Sequence, residues 1–179
     1  MLTTLFKIQL TCNTLHILKT LVTLDTEFLI SYQSCTSLYY KIFKAEKDGL
    51  AVKAQLEEFA SIGWEAMDET DREHRLKWIG VFFRPVTPGK FMMRMRIPNG
   101  ILTSDQMRVL GEVVRSLGDD GNADITTRQN IQIRGVRIED LPDIFKRFKA
   151  VGLTSVQSGM DNVRNITGDA VAGIDGDEL

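Results

Sequence analysis

Residues 125–135 read ITTRQNIQIRG, and the architecture turns on reading this stretch as a strand. As one strand it has two faces, because strand side chains alternate sides. Ile125, Thr127, Gln129, Ile131 and Ile133 take one side; Thr126, Arg128, Asn130, Gln132 and Arg134 take the other. The first face suits a core. The second is a row of long donors about 7 Å apart.

A second stretch, KFMMRMRIPNG at 90–100, has the same character. Met93, Met95 and Ile97 alternate with Met92, Arg94 and Arg96, and Pro98-Asn99-Gly100 closes the run. If both strands share a sheet, helices cover the face of Met93, Met95, Ile131 and Ile133. Arg94, Arg96, Arg128 and Arg134 then project from the other face. A guanidinium is a planar fork of donors matched to carboxylates and small oxyanions. Four on one face repel each other, and Asp120 and Asp124 stand only at the beginning of the strand. The pattern therefore points to an anionic partner. A single arginine on a strand is ordinarily a solvated surface residue; two pairs without balancing acids make the functional reading competitive.

Helical signals separate these strands. Thr103 and Gln106 have capping-box spacing ahead of Met107, Leu110, Val113, Val114 and Leu117, with Gly118 as the stop. Asp140 is placed to cap a helix whose stripe is Leu141, Ile144, Phe145, Phe148 and Val151; Pro142 falls in its first turn and Gly152 ends it. Upstream, Val52, Leu56 and Phe59 have helical spacing before Gly63. WEAMDETDREHRL (64–76) reads as a polar surface segment, WIGVFF (78–83) as the start of a strand, RPVTPG (84–89) as a turn and LTSVQSG (153–159) as a short strand. Strands alternating with helices through short loops predict an α+β fold, a ferredoxin-like split βαβ arrangement with helices on one face of an antiparallel sheet.

Composition narrows the partners. The 179 residues are 43% apolar and 26% charged, as in a soluble globular protein. The net charge of −2 gives no global pull toward nucleic acid, so any anion site must be local. RNA-binding sheets rely on exposed aromatics, and 125–134 has none; Phe91 stands alone at a strand edge, so no nucleic-acid partner is expected. Cys12 and Cys35 form neither a disulfide framework nor a metal-ligand spacing. His16 and His74 lie outside the arginine strands, and His74 reads as a solvated residue. Residues 1–43 are rich in Thr and apolar residues, with Lys7 and Lys19 interrupting any span of membrane length. They read as an unassigned extension, or as a targeting leader lacking arginine and a clear cleavage site. In SGMDNVRNITGD (158–169), Arg164 lies between Asn162 and Asn165, where turn amides can join an arginine in holding an anion. Asn165-Ile166-Thr167 also matches a glycosylation acceptor, relevant only to a secreted protein.

KFMMRMRIPNGILTSDQMRVL (90–110), DGNADITTRQNIQIRGV (120–136) and VGLTSVQSGMDNVRNITG (151–168) together resemble the amino-terminal part of ferredoxin-dependent nitrite reductases. Assimilatory sulfite reductases share a looser form of the pattern, and a ferredoxin-dependent sulfite reductase fragment, or a stand-alone module binding an anionic cofactor or nucleic acid, is the alternative. The resemblance runs from about Ala45 onward. It implies an amino-terminal helical segment at 44–79, a ferredoxin-like half-domain at 80–152 and the start of a sirohaem/[4Fe–4S] domain at 153–179. It further implies six-electron reduction of nitrite to ammonia on sirohaem and a [4Fe–4S] cluster, with ferredoxin as donor. By motif position, Arg94 and Arg164 would hold the substrate anion. Arg128 would contact the sirohaem carboxylates, with Thr127, Gln132, Arg134 and Arg96 as neighbouring cofactor contacts. The four cluster cysteines of the family belong to a later portion. No metal ligand is therefore expected here, the carboxy-terminal portion of the reductase is a missing partner, and the chain alone is expected to be inactive. Members of the family work in cyanobacterial cytoplasm or plastid stroma.

Overall fold

The computed structural model describes residues 40–169, together with 171 and 174. Residues 1–39, and with them Cys12, His16, Cys35 and most of the extension assigned to 1–43, lie outside the described residues. From residue 42 onward the chain forms one compact unit. Its elements are α1 (Leu56–Ile62), α2 (Glu69–Glu73), β1 (Val81–Phe82), β2 (Phe91–Arg94), α3 (Ser104–Ser116), β3 (Asn122–Ile125), β4 (Ile131–Val136) and α4 (Leu141–Ala150). The four strands pair antiparallel in the order β1-β2-β4-β3. The α+β, ferredoxin-like expectation holds.

The stretch 125–135 is not one strand. It is a hairpin, with β3 ending at Ile125, β4 starting at Ile131 and residues 126–130 turning between them. Gln129 adopts φ 54°, its N–H donates to the Thr126 carbonyl, and the Thr126 hydroxyl donates to Asn130 Oδ1 at 2.7 Å. These side chains satisfy the turn locally, which is how Thr and Asn compete with a ladder. Asn130, expected on the polar face, is therefore buried, and Ile125, expected in the core, is 80% exposed on the edge strand.

A second irregularity follows. Phe91 pairs with Val136 and Met92 with Arg134, so Gly135 is an extra residue in β4, at φ 81°. A bulge of this kind shifts the alternation by one. It returns Val136 to the same buried face as Ile133, and a Cβ on Gly135 would stand 2.3 Å from the Asp120 carbonyl oxygen.

Val81, Phe91, Met93, Ile133 and Val136 form the inner sheet face. They pack against Leu56 and Phe59 of α1, Leu110 and Val113 of α3, and Ile144 and Phe148 of α4. The Thr103–Gln106 capping box forms with both hydrogen bonds. Asp140 does not cap α4; its carboxylate is taken by Arg137 at 2.7 Å. Phe91 is wholly buried rather than exposed at an edge. LTSVQSG contributes only an isolated bridge, Arg96 to Thr154, since its other backbone N–H groups bond to Phe148, to Trp78 and within its own turn.

The segment 64–76 is the largest departure from the expected surface reading. Met67, Asp71, Arg75 and Leu76 are all buried. The Asp71 carboxylate accepts from Arg75 at 2.7 Å and from Lys47 at 2.6 Å, and Arg75 also donates to Glu46 at 3.0 Å. His74 is half-buried and stacks on Phe43 at 4.8 Å. Charge periodicity cannot separate a solvated helix from one whose acid and base are paired inside.

Candidate anion site

The sheet face opposite the helices is built in rows. One row is Phe82, Met92, Arg134 and Asn122; the next is Arg94, Gln132 and Asp124. Arg94 ends β2. Its N–H donates to the Gly80 carbonyl at 2.9 Å, and its own carbonyl accepts from the Ser158 hydroxyl at 2.8 Å. The half-buried guanidinium donates to the Ser158 carbonyl at 3.3 Å and lies 4.6 Å from the centre of the Phe82 ring. That cation–π contact is an aromatic on the open face that the strand reading overlooked. Gly159 lets the ring nest there, because a Cβ would stand 2.6 Å from Phe82 Cζ.

Arg128 stands in the 126–130 turn, its N–H donating to Thr126 Oγ1 at 3.2 Å, and is exposed. Arg164 is exposed in the 158–169 loop. The two arrive from different segments, yet both lie close enough to Arg94 for their charges to interact. Burial first, then the Arg164 charge, then the Arg128 charge, lower the pKa of the Arg94 guanidinium from its ordinary value. Among the described residues, none of Arg94, Arg96, Arg128 and Arg164 has a carboxylate within ion-pair distance. The nearby acids are engaged elsewhere: Asp124 by Arg134 at 2.5 Å, and Asp161 by Lys44 and by Trp78 Nε1.

The expected residues therefore divide. Arg94, Arg128 and Arg164 converge, and Gln132 lies beside Arg94 across the ladder. Arg96 shares the side of β2 that carries Arg94 and is half-buried, while Thr127 is exposed at the tip of the turn. Arg134 is not brought into the cluster. It pairs with Asp124 and borders a cavity of about 220 Å³ with Arg84, Lys90 and Asp120, in which Lys90 and Asp120 are themselves paired. Asp124, expected to leave the arginine row unneutralised, thus neutralises its last member. The turn places Arg128 near Arg94 without the strand the sequence suggested.

Reasoning from alternation missed Asn165. Its side-chain amide accepts from Ile97 N–H at 3.0 Å and donates to the carbonyls of Ile97, Arg128 and Gln129 at 2.8, 2.9 and 3.2 Å. With these bonds made, the nitrogen that a glycan would need is committed within the fold.

The donor chemistry fits a ligand bearing several carboxylates, or a small oxyanion: guanidiniums without carboxylate partners, with the Gln132 amide opposite Arg94. Among the described residues there is no group of three or more His, Cys, Asp or Glu that could hold a metal ion. No helix among them is long and apolar enough to cross a membrane.

Residues 84–151 match the model of the nitrite/sulfite reductase ferredoxin-like half domain. The chain is 74% identical over 140 residues to a ferredoxin–nitrite reductase of Leptolyngbya laminosa, covering 78% of this chain and 28% of that protein. It is 52% identical over 130 residues to the chloroplastic ferredoxin–nitrite reductase of Arabidopsis thaliana, covering 69% and 22%. Among solved structures, Mycobacterium tuberculosis NirA matches with a TM-score of 0.66 at 29% identity, over 73% of this chain and 27% of that one. The chain spans roughly a quarter of the length of these relatives.

Proposed function

Residues 84–151 belong to the nitrite/sulfite reductase ferredoxin-like half-domain family, and from that premise we propose that the chain is a portion of a ferredoxin-dependent nitrite reductase that supplies anion-binding arginines to its site. The overall reaction joins one nitrite, six electrons and eight protons into ammonium and two waters. Ferredoxin is the proposed electron donor; bound sirohaem and a [4Fe–4S] cluster would supply the electron chemistry, as cofactors do.

The contribution of this chain is placement and field. Arg94 and Arg164 would hold nitrite by charge-assisted hydrogen bonds and oppose the negative charge that grows on oxygen as N–O bonds break. Arg94 suits this role because its guanidinium is already fixed by Ser158 and Phe82, so little ordering remains to be done on binding. Arg128 would bind sirohaem carboxylates, with Gln132, Arg96 and Thr127 beside it. Arg134 could join them only by exchanging Asp124 for a cofactor carboxylate. The cluster ligands would come from the remainder of the protein. The cyanobacterial and chloroplastic relatives make cytoplasm or plastid stroma the proposed compartment.

The observation that carries this reading is that Arg94, Arg128 and Arg164, none with a carboxylate partner among the described residues, stand on three segments held together through the Asn165 amide. Titrating the chain with sirohaem and following the Soret band tests it. We expect saturable binding that weakens about tenfold or more in Arg128→Ala, since a hydrogen bond to a charged group is worth about 1.5–3 kcal/mol. No Soret shift at high micromolar sirohaem, or equal binding by the variant, would refute it.

A further inference from the structure

Three segments carry the converging arginines, and they meet at one side chain. Arg94 lies on β2, three residues before Ile97; Arg128 lies in the 126–130 turn; Arg164 lies in the 158–169 loop next to Asn165. The Asn165 amide bonds both polar backbone groups of Ile97 and the carbonyls of Arg128 and Gln129. Around it, Asn99 N–H donates to the Ile166 carbonyl at 2.8 Å. Gln129 Oε1 accepts from Gly168 N–H at 2.9 Å, while Gln129 Nε2 donates to the Gly168 carbonyl at 3.0 Å. Gly168 permits the approach: a Cβ there would overlap the Asn99 side chain, 1.6 Å from its Oδ1.

We propose that Asn165 is a positioning residue, a clasp whose single amide sets the spacing of Arg94, Arg128 and Arg164 and so the shape of the anion site. Neighbouring guanidiniums repel, and surface loops move apart readily when nothing opposes that repulsion. An amide is the side chain suited to the task, because it supplies an acceptor for Ile97 N–H and donors for the carbonyls at once. A carboxylate would lack the donors, and a hydroxyl has one hydrogen where the amide has two, one of them shared between neighbouring carbonyls. Asn165 touches no ligand in this scheme and acts only through the arginines. The inference rests on the anion-site reading above, and its test separates the two.

Amide hydrogen exchange on the full chain reads the clasp directly, without any ligand. In Asn165→Ala, Ile97, Asn99 and Gly168 are expected to lose protection together, by about tenfold or more, because their partners are brought in by one group. Met95, whose N–H bonds to the Ile131 carbonyl inside the sheet, should keep its protection and reports that the fold survives. In Asn165→Asp the acceptor remains, so Ile97 should stay protected while Asn99 and Gly168 do not. Loss confined to Ile97 in the alanine variant would overturn the clasp. Sirohaem affinity is the second readout. Asn165→Ala should bind about tenfold more weakly at low salt, with the gap closing as salt screens the arginines, whereas Val163→Ala, at an exposed side chain of the same loop, should bind as the parent does. A parent that binds beside an Asn165→Ala that binds equally well overturns the positioning role and leaves the anion site standing. A parent that does not bind removes the anion-site reading, and the exchange pattern still decides the clasp.

Discussion

Gly80→Ala is expected to lose about 3 kcal/mol or more of folding stability, and most of the anion site with it. Gly80 adopts φ 83° and ψ 16°, a left-handed conformation that costs an ordinary L-residue about 1–2 kcal/mol. Space is the larger difficulty. A Cβ would stand 2.2 Å from the Ser155 carbonyl oxygen and 2.6 Å from Ser158 Oγ, and the first of these is backbone. Forcing extra volume into a packed region adds about 1–3 kcal/mol. The loop cannot simply swing out, because it is stitched to the chain around Gly80. Ser155 Oγ donates to the Ile79 carbonyl at 2.8 Å and Gln157 N–H to the Trp78 carbonyl at 2.6 Å. Since Arg94 is held by Gly80 on one side and Ser158 on the other, displacement of this loop frees the guanidinium. Urea unfolding should show the midpoint fall, and sirohaem titration should show weakened binding. Gly111→Ala is the control: its Cβ meets nothing within 4 Å inside α3, and it should hold or gain about 0.4–1 kcal/mol. A Gly80→Ala midpoint within error of the parent would contradict the packing argument.

Asp71→Leu should cost about 3–5 kcal/mol, the usual consequence of leaving one charge of a buried pair without its partner. Arg75 is 6% exposed, and it would retain Glu46 but lose its closest acceptor. Lys47 is partly exposed and can turn to solvent, so the penalty falls on Arg75. Replacing both members, Asp71→Leu with Arg75→Met, should cost clearly less than Asp71→Leu alone, because no buried charge is then orphaned. Equal losses in the single and double variants, by chemical denaturation, would show that the pair is not coupled.

The same network makes the fold acid-labile. Burial by itself would raise the Asp71 carboxyl, but hydrogen bonds from Lys47 and Arg75, and their charges, hold it below the ordinary 3.8. The unfolded chain then binds the proton more readily, so this stabilisation is full above 3.8 and disappears as pH falls through the lower folded value. His74 acts earlier. Burial first, then Lys77, keep it below the ordinary 6.5, so its neutral form stabilises the fold above that pH and the contribution is lost below it. Acid unfolding should therefore proceed in two losses, and Asp71→Leu should remove only the second.

The helices were legible because their signals are local. The capping box at Thr103, the stripe from Leu110 to Val113 and the glycine stops depend on residues one turn apart, and each took the expected form. The inner face of the sheet was legible for the same reason, since Met93, Met95, Ile131 and Ile133 are all buried as alternation requires. The 126–130 turn was harder. Thr, Arg, Gln and Asn serve equally as a polar strand face or as a self-bonded turn, and only the pairing of β3 with β4 distinguishes them. Asp140 followed similar logic, with two local partners available and Arg137 the one taken.

By itself, then, the sequence determined the Thr103 capping box, the buried sheet face, the α+β class and the presence of arginine-rich segments, all properties carried by periodicity and near neighbours. Only the tertiary structure decided that Arg128 stands in a turn rather than on a strand, that Arg134 is spent on Asp124, and that Asp71 and Arg75 are inside. Those outcomes depend on groups far apart in the chain competing for the same hydrogen bonds. Asn165 joins backbone 68 residues before it, and no pattern of neighbouring residues encodes such a meeting.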